Sequence, residues 1–206
     1  GAKYDFGDYL PLQVGRPMYR LLDQIEPALT GRLDDDATAS YADWFSDPEE
    51  ARLYSESQHA GSLGPARQLA KSLDLSGAKR MLDVGGGTGA FAITLCQAAP
   101  DLRATIVDFP NVAALGREYV AEAGLGNRIT YVEGNALETE WPEAQDLILM
   151  SYLLSGVPGE AHAGLLTRAH EHLAPGGRLL VHDFVVEPDR TGPRLAALWQ
   201  LQHTAF

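Results

Sequence analysis

A glycine-rich turn is the densest concentration of chemistry-bearing positions in the sequence. The letters DVGGGTG occupy residues 83–89 and follow a short apolar segment. Glycine tolerates the backbone angles of a sharp turn and lets the main chain approach a ligand closely. Because so many glycines would destabilise a plain turn, we expect this one to bind a ligand. The spacing Gly85-x-Gly87-x-x-Ala90 also satisfies the dinucleotide-binding fingerprint, so the glycines alone leave the ligand open.

Two acidic residues narrow the choice of ligand. Asp83 precedes the glycines, where a carboxylate would repel a pyrophosphate but suits a ligand with positive charge. S-Adenosylmethionine (SAM) carries both an ammonium and a sulfonium group. Asp108 ends the next apolar segment, where an acid can accept hydrogen bonds from both ribose hydroxyls; its alternative role is to cap a helix beginning near Pro110. We therefore predict SAM as the cofactor and disfavour a nicotinamide oxidoreductase.

Strands alternate with helices from residue 80 onward, and this alternation must position the acidic and glycine residues. Short apolar runs predict strands, and runs of helix-forming residues separate them. The predicted strands cover residues 81–84, 104–107, 129–132, 146–150 and 178–186, and the helices cover 90–98, 112–123 and 161–173. This order predicts a doubly wound parallel α/β sheet, in which ligands bind at the carboxyl ends of the strands.

The first part of the chain has helical spacing instead. One apolar face ends at Gly31 and contains Met18, Leu21, Leu22 and Ile25. Two further amphipathic segments follow at residues 48–57 and 65–73. We interpret residues 1–75 as a helical linker and substrate-cap segment, and residues 76–206 as the SAM-binding α/β domain.

Composition restricts the partners of the chain. Hydrophobic residues make up 45% of the 206 residues, enough for a packed core. The formal net charge is -12 and the 16 basic residues are scattered, so we expect no nucleic-acid partner. There is 1 cysteine, Cys96, and no apolar run approaches the roughly 20 residues that span a bilayer. We predict a cytoplasmic protein with a small-molecule substrate and no membrane partner.

Four segments in order resemble the plant-type O-methyltransferase family and its bacterial relatives in antibiotic biosynthesis. They are residues 80–89 (RMLDVGGGTG), 105–110 (TIVDFP), 146–150 (DLILM) and 171–183 (EHLAPGGRLLVHD). The resemblance implies a class I methyltransferase (Rossmann-like) fold, SAM as methyl donor and S-adenosylhomocysteine as product. It also implies a homodimer formed through a region not in this sequence, and final strands beyond residue 206.

The same resemblance assigns a cofactor site. Glycines line the methionine and ribose, Asp108 binds the ribose hydroxyls, and Phe109 packs near the adenine. Family members usually have an aspartate at the place of Asn135, whose amide oxygen can accept the same hydrogen bond from the adenine amino group. The predicted cofactor-binding residues are Asp83, Gly85, Gly87, Gly89, Asp108, Phe109, Asn135, Ala136, Met150 and Ser151.

The residue that deprotonates the acceptor departs from the family pattern. O-Methyltransferases of this family carry a histidine after the fourth strand, but Ser155 takes that place and Gly156 follows it. A serine hydroxyl is too weak a base for a phenol of pKa about 10. The predicted catalytic residues are Ser155, Asp183 as an orienting acid and His203 as a substitute base, with His59 and His182 as further alternatives.

These observations predict SAM-dependent methylation of a small aromatic or polyketide-like natural product, most simply at oxygen. The predicted substrate contacts are Tyr152, Trp199 and His59. Methyl transfer needs mainly in-line positioning, so an acceptor that is already ionised would need no base. The alternatives are a relative repurposed for hydroxylation, decarboxylation or ring closure, a metal-assisted C-methyltransferase of an α-keto acid, and a non-catalytic SAM-binding module. We predict no metal site, because the family's metal-binding His-Asp pair is replaced by Ser155 and Gly156.

Overall fold

A five-stranded parallel sheet covered by helices forms the centre of the chain. The computed structural model describes residues 23–32, 41–189 and 191–202, without the side chains of residues 200–202. The strands are β1 (Arg80–Val84), β2 (Arg103–Asp108), β3 (Ile129–Glu133), β4 (Gln145–Ser151) and β5 (Leu173–His182). The helices are α1 (Ile25–Leu29), α2 (Tyr41–Trp44), α3 (Pro48–Ser72), α4 (Ala90–Ala98), α5 (Pro110–Glu122), α6 (Ala161–His172) and α7 (Arg194–Gln202), and a 3-10 turn covers Leu154–Gly156.

The strand order creates a switch point in the middle of the sheet. Every strand pair is parallel, and the order is β3-β2-β1-β4-β5. The chain therefore begins at β1, moves outward to β3, and then returns to β4 on the other side of β1. Connections that leave in opposite directions open a crevice at the carboxyl ends of β1 and β4. This confirms the predicted doubly wound α/β fold.

Two apolar layers cover the two faces of the sheet. Because side chains alternate along a strand, Leu147 and Leu149 enter one layer, whereas Ile148 and Met150 enter the other. The first layer packs against α4 and the second against α6. All four side chains are fully buried, so β4 is held from both faces. The strand consequently fixes the position of Ser151 at its carboxyl end.

Helix α3 is one helix of 25 residues, where the sequence predicted two segments. The Asp47 carboxylate caps it by accepting hydrogen bonds from the N–H groups of Glu49 and Glu50. Pro65 lacks the N–H that would continue the helical hydrogen bonds, but α3 packs along α4 and α5, and this packing sustains the helix across the proline. The helix thereby connects the predicted cap segment to the α/β domain.

Strand β5 begins and ends earlier than predicted. It starts at Leu173 and has a register irregularity opposite β4, where a Cβ at Gly177 would lie 2.7 Å from the carbonyl oxygen of Gln145. The strand ends at His182 because the Asp183 carboxylate accepts a hydrogen bond from the N–H of Phe184, which turns the chain away. Within the described residues, β5 lies at one edge of the sheet.

Part of the predicted amino-terminal helix lies outside the described residues. Met18, Leu21 and Leu22 belong to that part, whereas Ile25 begins the short helix α1 and Gly31 follows it with a φ of +65°. Of the helices that the structure describes, none combines the length and apolar character needed to cross a membrane.

Candidate functional site

A cavity of about 970 Å³ opens at the carboxyl ends of β1, β2 and β4. The glycine turn and the segments that follow β2, β3, β4 and β5 line it, together with residues of α2, α3 and α7. It lies at the switch point of the sheet, as the predicted topology requires. Its volume is enough for a nucleoside-sized ligand together with a second small molecule.

Main-chain geometry fixes the shape of the glycine turn. Gly85 and Gly87 line the cavity with φ angles of +66° and +59°, which favour glycine. A Cβ at Gly86 would lie 2.6 Å from Cγ of Asp83, so this position also excludes a side chain. The turn therefore presents main chain, rather than side chains, to whatever occupies the cavity.

Gly89, also predicted to bind the cofactor, lies at the end of the turn where α4 begins. It does not line the cavity; it is the N-cap of α4, and a Cβ there would lie 2.9 Å from Cδ1 of Ile106. Its small size lets α4 pack closely on β2. Gly86 and Thr88 line the cavity, so the part of the turn that borders the cavity is residues 85–88.

Asp108 lines the cavity and also holds the glycine turn in place. Its Oδ2 atom accepts a hydrogen bond from the N–H of Gly87 at 2.7 Å, and Oδ1 accepts one from the N–H of Phe109 at 2.8 Å. Burial raises the pKa of this carboxyl to about 6, although both N–H groups lower it. The N-cap of α5 is Phe109, so Asp108 is not the cap of that helix. Its remaining lone pairs suit the ribose contact that the resemblance implies.

Asp83 is a buried acid beside the turn with an unsatisfied charge. Only 1% of the residue is exposed, and neither carboxylate oxygen has a hydrogen-bond partner of normal geometry among the described residues. Burial, followed by the negative charge of Asp108, raises its pKa to about 7, while the N–H of Ala92 lowers it weakly. A buried charge in this state is costly unless a cation approaches. Asp83 borders the cavity, so a positively charged ligand in the cavity would reduce that cost.

The predicted adenine contacts face the cavity, whereas Met150, which was predicted to lie along the cofactor, does not. Phe109, Asn135 and Ala136 line it. The side-chain oxygen of Asn135 already accepts the N–H of Leu137 at 3.0 Å, so an adenine amino group would share that oxygen. Met150 does not line the cavity: it is fully buried in the apolar layer beneath β1 and β4, because the strand turns it toward the core.

An aromatic wall lines another part of the cavity. We define it as Tyr152, Phe184 and Trp199, all of which line the cavity. The rings of Phe184 and Trp199 stack at 4.5 Å, and those of Tyr152 and Phe184 lie 5.5 Å apart. Tyr152 has a φ of +55°, and its N–H donates to the carbonyl oxygen of His182 at 2.7 Å. The two predicted substrate contacts after β4 and on α7 thus lie in one wall.

The third predicted substrate residue lies beside the glycine turn. His59 Nδ1 is 2.7 Å from Oγ1 of Thr88, and its ring packs on Tyr119 at 4.1 Å. Burial lowers the pKa of His59 to about 4, so the ring is neutral at physiological pH. His59 therefore helps to shape the part of the cavity next to the glycine turn, rather than the aromatic wall.

The predicted catalytic residues are only partly brought together. Ser155 lines the cavity, and its N–H donates to Oδ2 of Asp183 at 2.9 Å. Asp183 itself does not line the cavity; it anchors the loop that carries Ser155. His203 lies outside the described residues. Within the described ranges, no group of three or more histidine, cysteine, aspartate or glutamate side chains could hold a metal ion.

Two features of the site escaped the sequence analysis. Tyr41 from α2 lines the cavity and packs with Tyr54 of α3 and Phe45, so the three rings form an aromatic cluster at the cavity. Ser151 Oγ lies 2.9 Å from Nδ1 of His182, across the ends of β4 and β5. Ser151 follows one predicted strand and His182 lies in another, and the carboxyl ends of neighbouring parallel strands lie side by side. That arrangement could have indicated the contact between them.

Comparison with known proteins agrees with this geometry. The O-methyltransferase domain family matches residues 37–205. The 3-hydroxy-5-methyl-1-naphthoate 3-O-methyltransferase of Streptomyces sahachiroi is 39% identical over 136 residues, which are 66% of this chain and 39% of that protein. The aclacinomycin 10-hydroxylase RdmB of Streptomyces purpurascens is 35% identical over 138 residues, covering 66% of this chain and 37% of that protein.

Solved structures share the fold. Human N-acetylserotonin methyltransferase in complex with SAM matches with a TM-score of 0.83 at 24% identity, covering 96% of this chain and 58% of that one. The chain spans about two fifths of the length of the two curated relatives. Because the family match extends over most of the sequence, the chain belongs to the O-methyltransferase domain family.

Proposed function

We propose that this chain binds SAM and positions it for methyl transfer to an oxygen atom of a small aromatic or polyketide-like natural product. The observation that carries the proposal is the buried carboxylate of Asp83, which lies beside the glycine turn and has no hydrogen-bond partner of normal geometry among the described residues. A cationic ligand would offset the cost of burying that charge. SAM supplies an activated methyl group on positively charged sulfur, and the family membership supports it as the cofactor.

The cofactor end of the cavity would hold SAM mainly through the chain's acids and main chain. Asp83 provides the negative charge, and Asp108 keeps oxygen lone pairs available for hydroxyl donors. Phe109 and Ala136 provide apolar surface in the same part of the cavity. These groups match the cation, sugar and flat base that SAM combines.

The acceptor end would bind a flat apolar molecule. The aromatic wall offers ring faces for stacking, and Ser151 and Ser155 are hydroxyl-bearing residues near it. The walls hold the acceptor in line with the methyl group and exclude water, which is the principal requirement of methyl transfer. Asp183 positions the Ser155 loop at this end.

Two measurements on the full-length protein test this function. Calorimetry should show binding of SAM and S-adenosylhomocysteine and no binding of NAD⁺. Labelled SAM should transfer its methyl group to a hydroxyl in a panel of naphthols and polyketide phenols. Preferential NAD⁺ binding would contradict the proposed cofactor, and SAM binding without transfer to any acceptor would contradict the proposed reaction.

A second candidate function keeps SAM but changes the reaction. Ser155 stands where the family resemblance places a histidine base, and one relative is named as a hydroxylase. A repurposed enzyme of this kind would hydroxylate, decarboxylate or cyclise its substrate. The mass of the product distinguishes the candidates, because methylation and hydroxylation add different atoms.

We also propose the organisation of the whole protein. Residues 1–75 would act as a helical cap and residues 76–206 as the SAM-binding domain; the position of α3 over the cavity supports the cap. The family resemblance supports a cytoplasmic homodimer formed through a region not in this sequence. Light scattering on the full-length protein tests the dimer, and a monomeric mass would contradict it.

A further inference from the structure

Ser151 lies between the cavity and a half-buried imidazole. Ser151 ends β4 and lines the cavity, whereas its neighbour across the strand pair, His182 on β5, does not line it. The 2.9 Å separation of Ser151 Oγ and His182 Nδ1 is that of a hydrogen bond. A hydroxyl in the cavity is thus connected directly to a base behind the wall.

The surroundings of His182 favour its neutral form while leaving it able to take a proton. The rings of Phe91 on α4 and Tyr152 after β4 pack against it at 5.4 Å and 4.6 Å. Burial lowers the pKa of His182, and the charge of Asp183 opposes that effect. A neutral ring with its proton on Nε2 can accept at Nδ1, and the nearby carboxylate of Asp183 stabilises the imidazolium that results.

We propose that Ser151 and His182 form a proton relay for the acceptor hydroxyl, in place of the single histidine base that the Ser155 position lacks. The proposal rests on the proposed function, since it assumes that the acceptor oxygen is methylated. Ser151 touches the acceptor and is the catalytic residue of the pair; His182 acts through Ser151 and is a positioning residue and proton store.

The relay conserves protons and electrons. The acceptor O–H bond breaks and its proton forms a new O–H bond with Ser151 Oγ. At the same time the original Ser151 O–H bond breaks and that proton forms an N–H bond with His182 Nδ1. The electron pair of the acceptor O–H bond stays on the acceptor oxygen, which becomes the nucleophile for the methyl group. After the product leaves, the stored proton returns through Ser151 to water.

The relay removes the difficulty that a serine is too weak a base. Ser151 need not keep the acceptor proton, because it donates its own proton as it accepts; the basicity is that of imidazole. Ser155 differs: within the described part of the chain it is its main-chain N–H, not its hydroxyl, that forms a hydrogen bond, with Asp183. The structure thus distinguishes two serines that look equivalent in the sequence.

The first test compares two acceptors that differ in acidity. The probes are 2-naphthol and 4-nitro-1-naphthol, assayed at about pH 8. At that pH the far more acidic nitro compound is already ionised, whereas 2-naphthol is mostly neutral. Ser151→Ala and His182→Asn should each lower kcat with 2-naphthol by about 100-fold and change kcat with the nitro compound by less than about threefold. Both rates are measured at saturating SAM, and SAM affinity should stay within about threefold in His182→Asn, because His182 does not line the cavity. Exposed positions supply the matched controls Ser72→Ala and His170→Asn, which should change neither rate.

The pH profile adds a measurement that a purely structural role would not move. With 2-naphthol, kcat/KM of the unmodified protein should fall as the pH drops through the pKa of His182, which lies below 6.5. In Ser151→Ala this limb should disappear, and the rate should rise with pH as the naphthol itself ionises. Equal losses on both acceptors, or an unchanged pH profile, would overturn the relay.

A spectroscopic measurement separates failure of the relay from failure of the proposed function. The ¹⁵N spectrum of the histidine rings in the full-length protein, assigned with His182→Asn, should show His182 neutral with its proton on Nε2. A neutral ring protonated on Nδ1 would overturn the relay whatever the protein methylates. If the unmodified protein binds SAM but methylates neither naphthol, the proposed function fails, and the tautomer still decides whether the pair can accept a proton.

Discussion

The two ends of the cavity are built in different ways. The cofactor end consists of a main-chain turn clasped by Asp108 and a buried acid, all within adjacent strands β1 and β2. The acceptor end is an aromatic wall assembled from the loop after β4, the segment after β5, and α7. The cofactor end is therefore rigid and charged, whereas the acceptor end is apolar and consists mainly of side chains on loops.

This difference explains how one fold can keep a cofactor while its acceptor changes. Main-chain hydrogen bonds and glycine geometry leave little room for substitution at the cofactor end. Side chains on loops tolerate replacement, because loops carry function on a fixed scaffold. Substitutions at the cofactor end should therefore abolish binding, whereas substitutions in the wall should tune the acceptor. The predictions below test that contrast.

The largest effect is expected from Gly86→Ala. The new Cβ would lie 2.6 Å from Cγ of Asp83 and 2.9 Å from Cγ2 of Ile106, both of which are fixed by the sheet. The turn must shift, so SAM affinity should fall by at least about 100-fold, or about 2.8 kcal/mol. Calorimetry measures the SAM affinity. Gly164→Ala is the control, because no atom lies within 4 Å of a Cβ added at Gly164. Unchanged affinity in Gly86→Ala would show that the turn is not rigid.

Asp83→Asn should separate binding from stability. The substitution removes the negative charge and keeps the shape, so SAM affinity should fall by about 30-fold, or about 2 kcal/mol. The unliganded protein should become more stable at neutral pH, because a buried unpaired charge is lost. Calorimetry and thermal unfolding measure the two effects, with the exposed Asp101→Asn as a control. Weaker binding together with lower stability would indicate a structural role only.

Much of the cofactor end could be predicted from the sequence, because its signals are local. The glycine turn, Asp83 and Asp108 follow strands whose apolar patterns are clear, and each lines the cavity. Gly89 and Met150 do not line the cavity, because helix packing and strand alternation, rather than motif position, decide where each one points.

The acceptor end could be predicted only in part. Tyr152 and Trp199 were found by resemblance and position, but their partner Phe184 depends on where β5 ends, and the sequence placed that end too late. The bond between Ser151 and His182 depends on the register of β4 against β5. That register follows from a bulge near Gly177, which no single-sequence pattern specifies.

SAM affinity should depend on pH at the cofactor end. The pKa of Asp83 is raised to about 7 in the unliganded protein, and a bound cation lowers it, so binding below that pH releases a proton. Affinity should then fall by up to about tenfold for each pH unit below about 7. Protonation of Asp83 also stabilises the unliganded fold. That contribution to the free energy of unfolding is complete below pH 3.8, the ordinary pKa of the carboxyl, and is lost as the pH rises through about 7.

Calorimetry in buffers of different ionisation enthalpy measures the released proton. Asp83→Asn is the matched control, and its affinity should vary less with pH. Asp108, whose pKa is raised to about 6, faces the same space and contributes the dependence that remains at lower pH. An affinity in the unmodified protein that is constant from about pH 5 to 8 would contradict an ionisable Asp83 next to a cation.

The smallest effect, and the one that defines the acceptor end, is expected from Trp199→Ala. The substitution removes one face of the stack with Phe184, worth about 1 kcal/mol, so KM for 2-naphthol should rise about fivefold. SAM affinity should not change, because Trp199 belongs to the aromatic wall. Leu198→Ala on the same helix is the control, since Leu198 is 55% exposed and does not line the cavity. If Trp199→Ala weakened SAM as much as 2-naphthol, the two ends of the cavity would not be separate, and the loops of the wall would hold the cofactor as well.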